Sequence, residues 1–94
     1  MRVRREVAKN SNIADRYMLA YLARDRDKDV RWFVALHKNT PPKSLALLAR
    51  DPCRIVRAAV AMNPNTPIEY LKLLAGDEDG GIRWIVTHKL DMTA

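Results

Sequence analysis

Apolar residues recur along the chain at helical spacing, and the spacing itself recurs. Val30, Phe33, Val34 and His37 fall at i, i+3, i+4 and i+7, and so do Val56, Ala59, Val60 and Asn63. Each of these segments is followed by a break and then by a second apolar triplet: Leu19/Leu22/Ala23, Leu45/Leu48/Ala49 and Leu71/Leu74/Ala75. The pattern predicts short helices of two kinds, an A helix opening each unit and a B helix closing it, with B helices near 14–24, 41–50 and 67–75. Val3, Val30, Val56 and Ile82 open successive units at steps of 27, 26 and 26 residues. A fixed period of this length signals a stacked repeat, because neither helix of a pair can bury its stripe alone.

The breaks have their own chemistry. Pro64 disfavours helical geometry at Asn63 and ends the A helix there. Thr66-Pro67 looks like a helix start, with Thr66 accepting from free amides, Pro67 at the first helical position and Glu69 completing a capping box. Thr40-Pro41 repeats the device without the acid, Asn12 with Asp15 is its counterpart in the first unit, and Gly76 is placed to cap the last B helix. No alternating segments flank an Asn-Gly or Asp-Gly turn, so no strand is predicted. The fold expected is all-α, a single domain of seven short helices in about three and a half repeats near 3–29, 30–55, 56–81 and, in part, 82–94.

The recurring words Val56-Arg57-x-x-Val60-Ala61-x-Asn63, Thr66-Pro67, Leu71, Leu74, Ala75 and Asp77 resemble the leucine-rich repeat variant family, whose phrase runs close to VRxxVAxNxxTPxxxLxxLAxD. The first copy has Ile13-Ala14 for Thr-Pro, the second His37 for Asn, and the last Thr87 for Ala and Lys89 for Asn. The resemblance implies a right-handed α-solenoid similar in style to HEAT repeats, serving as an interaction scaffold, and it implies no reaction. Asp25–Arg31, Asp51–Arg57 and Asp77–Arg83 each stand six residues apart. HEAT-like repeats use that spacing to tie neighbouring repeats, and recurrence at every junction marks these pairs as structural rather than catalytic.

Charge changes the picture at one end. The chain has 94 residues and a formal charge of +6. Residues 1–47 hold eleven Lys/Arg against five acids, and residues 48–94 hold six against six. The excess therefore belongs to the N-terminal half and suits an acidic partner. A lone Cys53 excludes an internal disulfide or a thiolate cluster and fits a reducing, cytoplasmic setting. The basic start is followed by no apolar stretch of signal-peptide type, and runs such as Trp32 to Leu36 are far too short to span a bilayer.

Candidate chemistry is sparse. Asp25, Asp27 and Asp29 open like a calcium loop, but Val30 and Leu36 occupy the positions that need Gly and a bidentate Glu. Asp27 and Asp79 read instead as acids favoured near A-helix N-termini. His37 falls on the core row and His88 on an outward row. No nucleophile–base pair, phosphate loop or metal motif is visible, so neither an enzyme nor a cofactor is expected.

What stands out is the outward face of the A helices. The residue after each repeat Arg gives Arg5, Trp32, Ala58 and Trp84; four residues on come Lys9, Leu36, Met62 and His88. The two rows adjoin on a helix and make one surface, with its tryptophans about 20 Å apart across stacked helices spaced by ~10 Å. Trp32, Leu36, Met62, Trp84 and His88 are accordingly the candidate contacts for a protein partner or for a second copy. The alternative is nucleic-acid backbone binding through Arg2, Arg4, Arg5, Lys9 and Arg16, with Arg24, Arg26 and Lys28 adjoining. Where the fourth B helix would start, the sequence ends in register with Thr40 and Thr66. Ile82, Ile85 and Val86 are therefore expected to lie uncovered and to drive dimerisation.

Overall fold

The computed structural model describes residues 16–93, with side chains to Leu90. Six helices follow one another and the described residues contain no strand: α1 (Arg16–Leu22), α2 (Lys28–Leu36), α3 (Pro42–Leu48), α4 (Arg54–Met62), α5 (Ile68–Leu74) and α6 (Gly80–Thr93). Helices α2, α4 and α6 are of A type, and α1, α3 and α5 of B type. The A helix expected before α1, with Asn12 and Asp15, lies outside the described residues.

The core is drawn from the positions that the periodicity selected, with two corrections: Phe33 is half-buried, and Ala75, at the last turn of its B helix, is exposed. Leu19, Val30, Val34, Leu45, Leu48, Val56, Val60, Leu74 and Val86 are essentially sealed from solvent. Fully burying a side chain of this kind is worth roughly 1.5–3 kcal/mol. Successive A helices pack directly on one another, whereas successive B helices barely meet. The residues explain the difference: Ala35, Ala59 and Ala61 are buried on the A helices, and small side chains let helix axes approach. The stack therefore closes up on its A side and opens on its B side.

Each A helix ends in a turn whose hydrogen bonds account for its orphan carbonyls. In α4, Asn63 is the C-cap, and Thr66 donates its hydroxyl to Val60 O at 2.6 Å. Thr40 does the same for Val34 O in α2, at 2.5 Å. The expected capping box is thus corrected. Thr66 faces backward to the helix behind it, its hydroxyl is spent as a donor, and Pro67 is the N-cap of α5 with no side-chain bond. Glu69 is left exposed. Gly76 is not the cap either: Ala75 is, in right-handed geometry, and no described glycine has positive φ.

The remaining carbonyls are completed by the next repeat. Asn63 donates Nδ2 to Ala35 O at 2.8 Å and to His37 O at 3.0 Å, while its Oδ1 accepts from the Asn65 N–H at 2.8 Å. His37, in the same register, is buried, and its Nδ1 accepts from the Asn39 N–H at 3.0 Å. Lys89 takes the Asn position in α6 and donates Nζ to Ala61 O at 3.0 Å and Asn63 O at 2.6 Å. An ammonium has no acceptor with which to close its own turn, and Leu90 stands where Pro64 broke α4. Helix α6 accordingly runs on for 14 residues against nine in α4.

The uncovered stripe expected at the end of the chain is also corrected. Ile82 and Val86 are buried, because α4 and α5 together form the trough into which α6 settles. An A helix finds its cover in the preceding repeat and does not need a B helix of its own. Ile85 alone of the three stays half-buried.

Two outcomes follow from the capping. Thr66→Val, which keeps shape and removes the donor, should lower stability in urea melts by about 1 kcal/mol, while Glu69→Ala should stay within about 0.5 kcal/mol. The reverse ranking would restore the capping box. Burial holds the Lys89 ammonium below the usual lysine pKa of 10.5. The folded chain thus releases this proton before the unfolded one does, and Lys89's contribution to stability rises as pH climbs from the depressed value to 10.5. In paired melts between neutral and alkaline pH, Lys89→Met should abolish that rise relative to the parent chain.

Candidate interaction surface

The surface is held by a relay of arginines and aspartates. Arg31 reaches forward to Asp51, with Nε to Oδ2 at 2.7 Å and Nη2 to Oδ1 at 3.3 Å, and backward to Asp25 O through Nη1 at 2.9 Å. Arg57 repeats this one repeat on: 2.9 and 3.3 Å to the Asp77 carboxylate and 2.7 Å to Asp51 O. Arg83 makes the backward bond to Asp77 O at 2.6 Å. Each aspartate also tightens its own turn, as Asp51 Oδ1 accepts from the Cys53 N–H and Asp77 Oδ1 from the Asp79 N–H, both at 2.9 Å.

The pairing expected from the six-residue spacing is corrected in one respect. Across six residues the arginine meets the aspartate's backbone carbonyl, and the carboxylate it pairs with lies twenty residues ahead. The guanidinium fork carries donors on two edges, so one side chain can serve both. The Asp77 hydrogen bond, opposed by burial and reinforced by the Asp77 charge, raises the Arg57 pKa above the ordinary arginine value.

The relay sets the A helices side by side and so fixes their outward face. Trp84 is 62% exposed and lies over the His88 ring, centroids 3.9 Å apart, with His88 Nδ1 at 3.0 Å from Trp84 O. Met62 is 58% exposed on the neighbouring helix. Trp32 and Leu36 are half-buried against the core, and Trp32 meets Phe33 edge to face at 4.8 Å. The predicted surface is therefore open at its C-terminal end and partly folded down at Trp32.

Two grooves run between the A helices and bring in residues that the sequence rows had missed. One, about 340 Å³, lies between α2 and α4 and is lined by Lys28, Asp29, Trp32, Cys53, Ile55 and Val56. The other, about 230 Å³, lies between α4 and α6, with Ile55, Ala58, Gly81 and Ile85 on its walls and Arg54 and Asp79 at its mouth. Ile55 is 54% exposed and forms the ridge between them. Its signal was its place at i−3 from Ala58 and i−7 from Met62, one turn before the two rows considered and on the same face.

Asp79 has a definite task at this edge. Its Oδ1 accepts from the Gly81 N–H at 2.9 Å and the Ile82 N–H at 3.1 Å, capping α6. These bonds, the one from Ile82 first, hold its carboxyl below the usual 3.8. Asp27 likewise caps α2, accepting from the Asp29 N–H at 2.8 Å. Arg54 reaches Asp79 at 3.5 Å from an exposed position. Among the described residues no cluster of His, Cys, Asp and Glu could hold a metal ion, and no helix is long and apolar enough to cross a membrane. Arg2, Arg4, Arg5 and Lys9 lie outside the described residues, and Arg16 is exposed at the start of α1.

The family model described as leucine rich repeat variant matches residues 54–79, which run from the start of α4 to the cap of α6. This is the family whose phrase the sequence resembles, and its helical-repeat character agrees with the all-helical fold. No curated protein and no solved structure matches the chain.

The relay and the exposed pair are separable by mutation. Arg57→Ala strands the buried Asp77 carboxylate and should cost about 3 kcal/mol, whereas Arg54→Ala should cost less than about 0.5 kcal/mol because Arg54 itself is exposed. Denaturant melts that gave both variants the same small loss would show that the relay carries no stability.

Proposed function

We propose, from a chain whose residues 54–79 match a family of helical repeats, that the protein is a non-catalytic interaction module that takes a protein partner on the outward face of its A helices. One observation carries the reading: Ile55, Met62 and Trp84, each more than half exposed, stand on adjoining helices, and Ile55 forms the ridge between two grooves with apolar walls. Large exposed side chains beside concave apolar walls are the arrangement in which interfaces concentrate their binding energy. The A helices supply the rigidity, since their spacing is held by buried alanines and by the Arg–Asp relay. Preorganisation of that kind lowers the entropy lost on association.

The ground first given for a second copy as the partner is gone, because Ile82 and Val86 are already buried. Self-association through Trp84 and Met62 is instead one arm of the test. A photo-crosslinking residue at position 84 or 62 should yield protein adducts in cells that express the chain, and one at the exposed loop position 78 should not. Sedimentation equilibrium on the isolated chain separates a homodimer from a different partner. Absence of adducts at both positions, with a monomer at every concentration, would overturn the reading.

A further inference from the structure

The B side of the stack carries a second feature with the repeat period. Tyr21, Leu47 and Leu73 stand 26 residues apart on α1, α3 and α5. They remain 76%, 40% and 39% exposed, although the core leucines beside them are sealed. One apolar side chain per B helix, in one register, makes a ladder across three repeats.

Basic side chains frame the ladder. Arg24 and Arg50 lie one turn beyond Tyr21 and Leu47, Lys43 lies one turn before Leu47, and Lys72 is exposed on α5. None of these four makes an ion pair with a described residue. Glu69 is the one exposed carboxylate on the described parts of these helices. The acids of the stack are drawn elsewhere: Asp51 and Asp77 into the relay, and Asp27 and Asp79 into the A-helix caps.

We infer that this ladder docks an acidic amphipathic helix of a partner protein. Such a helix carries its heptad-spaced apolar residues in one row on one side, which can lie along the ladder. Acidic residues flanking that seam meet Arg24, Arg50 and Lys43. A second copy of this chain is disfavoured, since a two-fold contact would set four cations against four. A phosphate backbone would satisfy the cations and leave Leu47 and Leu73 against a polar surface. The ladder is distinct from the A-helix surface and stands whether or not that surface binds.

The test uses the whole chain and a fluorescent 21-residue helical peptide with leucine at heptad spacing, glutamate on both flanks and no aromatic residue. Anisotropy should rise with micromolar chain, and Leu47→Ser should weaken binding about tenfold. Arg24→Glu with Arg50→Glu should weaken it by at least about tenfold, and a peptide with lysine flanks should recover binding to that double variant. All three residues are exposed, so melting curves should match those of the parent and isolate the surface effect. Trp84→Ser should leave peptide affinity unchanged.

Failure of the peptide to bind at about 200 µM, far weaker than useful recognition, overturns the inference. So does binding that is indifferent to Leu47→Ser. Loss of peptide binding on Trp84→Ser would place the peptide on the A side and overturn it as well. Displacement of the peptide by a single-stranded oligonucleotide or by anionic vesicles, with affinity falling steeply in salt and Leu47→Ser without effect on either, would reassign the cations to phosphate binding.

Discussion

A helix of nine residues cannot satisfy its own ends, and everything distinctive in this fold answers that constraint. Four carbonyls at each C-terminus and four amides at each N-terminus lack intrahelical partners, which in so short a helix is most of the backbone. The repeat words are the partners. Thr40 and Thr66 close the carbonyls of their own A helices, Asn63 and Lys89 close those one repeat back, and Asp27 and Asp79 close amides. The arginines then fasten one turn's carbonyl to the next turn's carboxylate. Apolar burial supplies the bulk of the driving force, but the polar words decide which stack forms.

This division explains what was legible in the sequence. Period 3.6 within segments and period 26 between them sufficed for the helices and the core, because Val30, Val56, Leu45 and Leu71 have one stable place to go. The direction in which a polar side chain reaches was not legible. Six and twenty sum to the repeat length, so an arginine that always follows one aspartate by six also always precedes another by twenty. Recurrence supports both pairings equally. Thr66 posed the same ambiguity, since a hydroxyl between two helices can accept from the one ahead or donate to the one behind. Here the deeper demand belonged to the buried carbonyl of Val60, and the donor went to it.

The surfaces were half legible for a related reason. Reading only the rows next to the repeat arginines found Trp84 and Met62 but passed over Ile55, which forms the ridge between the grooves. Trp32, one of the candidate contacts, is half-buried against the core, where Phe33 meets its ring edge to face. The Tyr21–Leu47–Leu73 ladder was present as a 26-residue coincidence of apolar residues, hidden because each lies beside core leucines in an apolar run. Composition cannot tell a leucine that faces the core from its neighbour that does not.

The exchange of Asn63 for Lys89 at equivalent positions has a consequence for how such a chain can change length. An asparagine there looks both ways, completing the helix behind and shaping the turn that leads onward. A lysine looks only behind. Because donors and acceptors sit at fixed separations of 20, 26 or 28 residues, excising 26 residues between the units opened by Val30, Val56 and Ile82 returns the Arg–Asp bonds between repeats to equivalent partners. The unit of inheritance in this architecture is thus a length and not a segment.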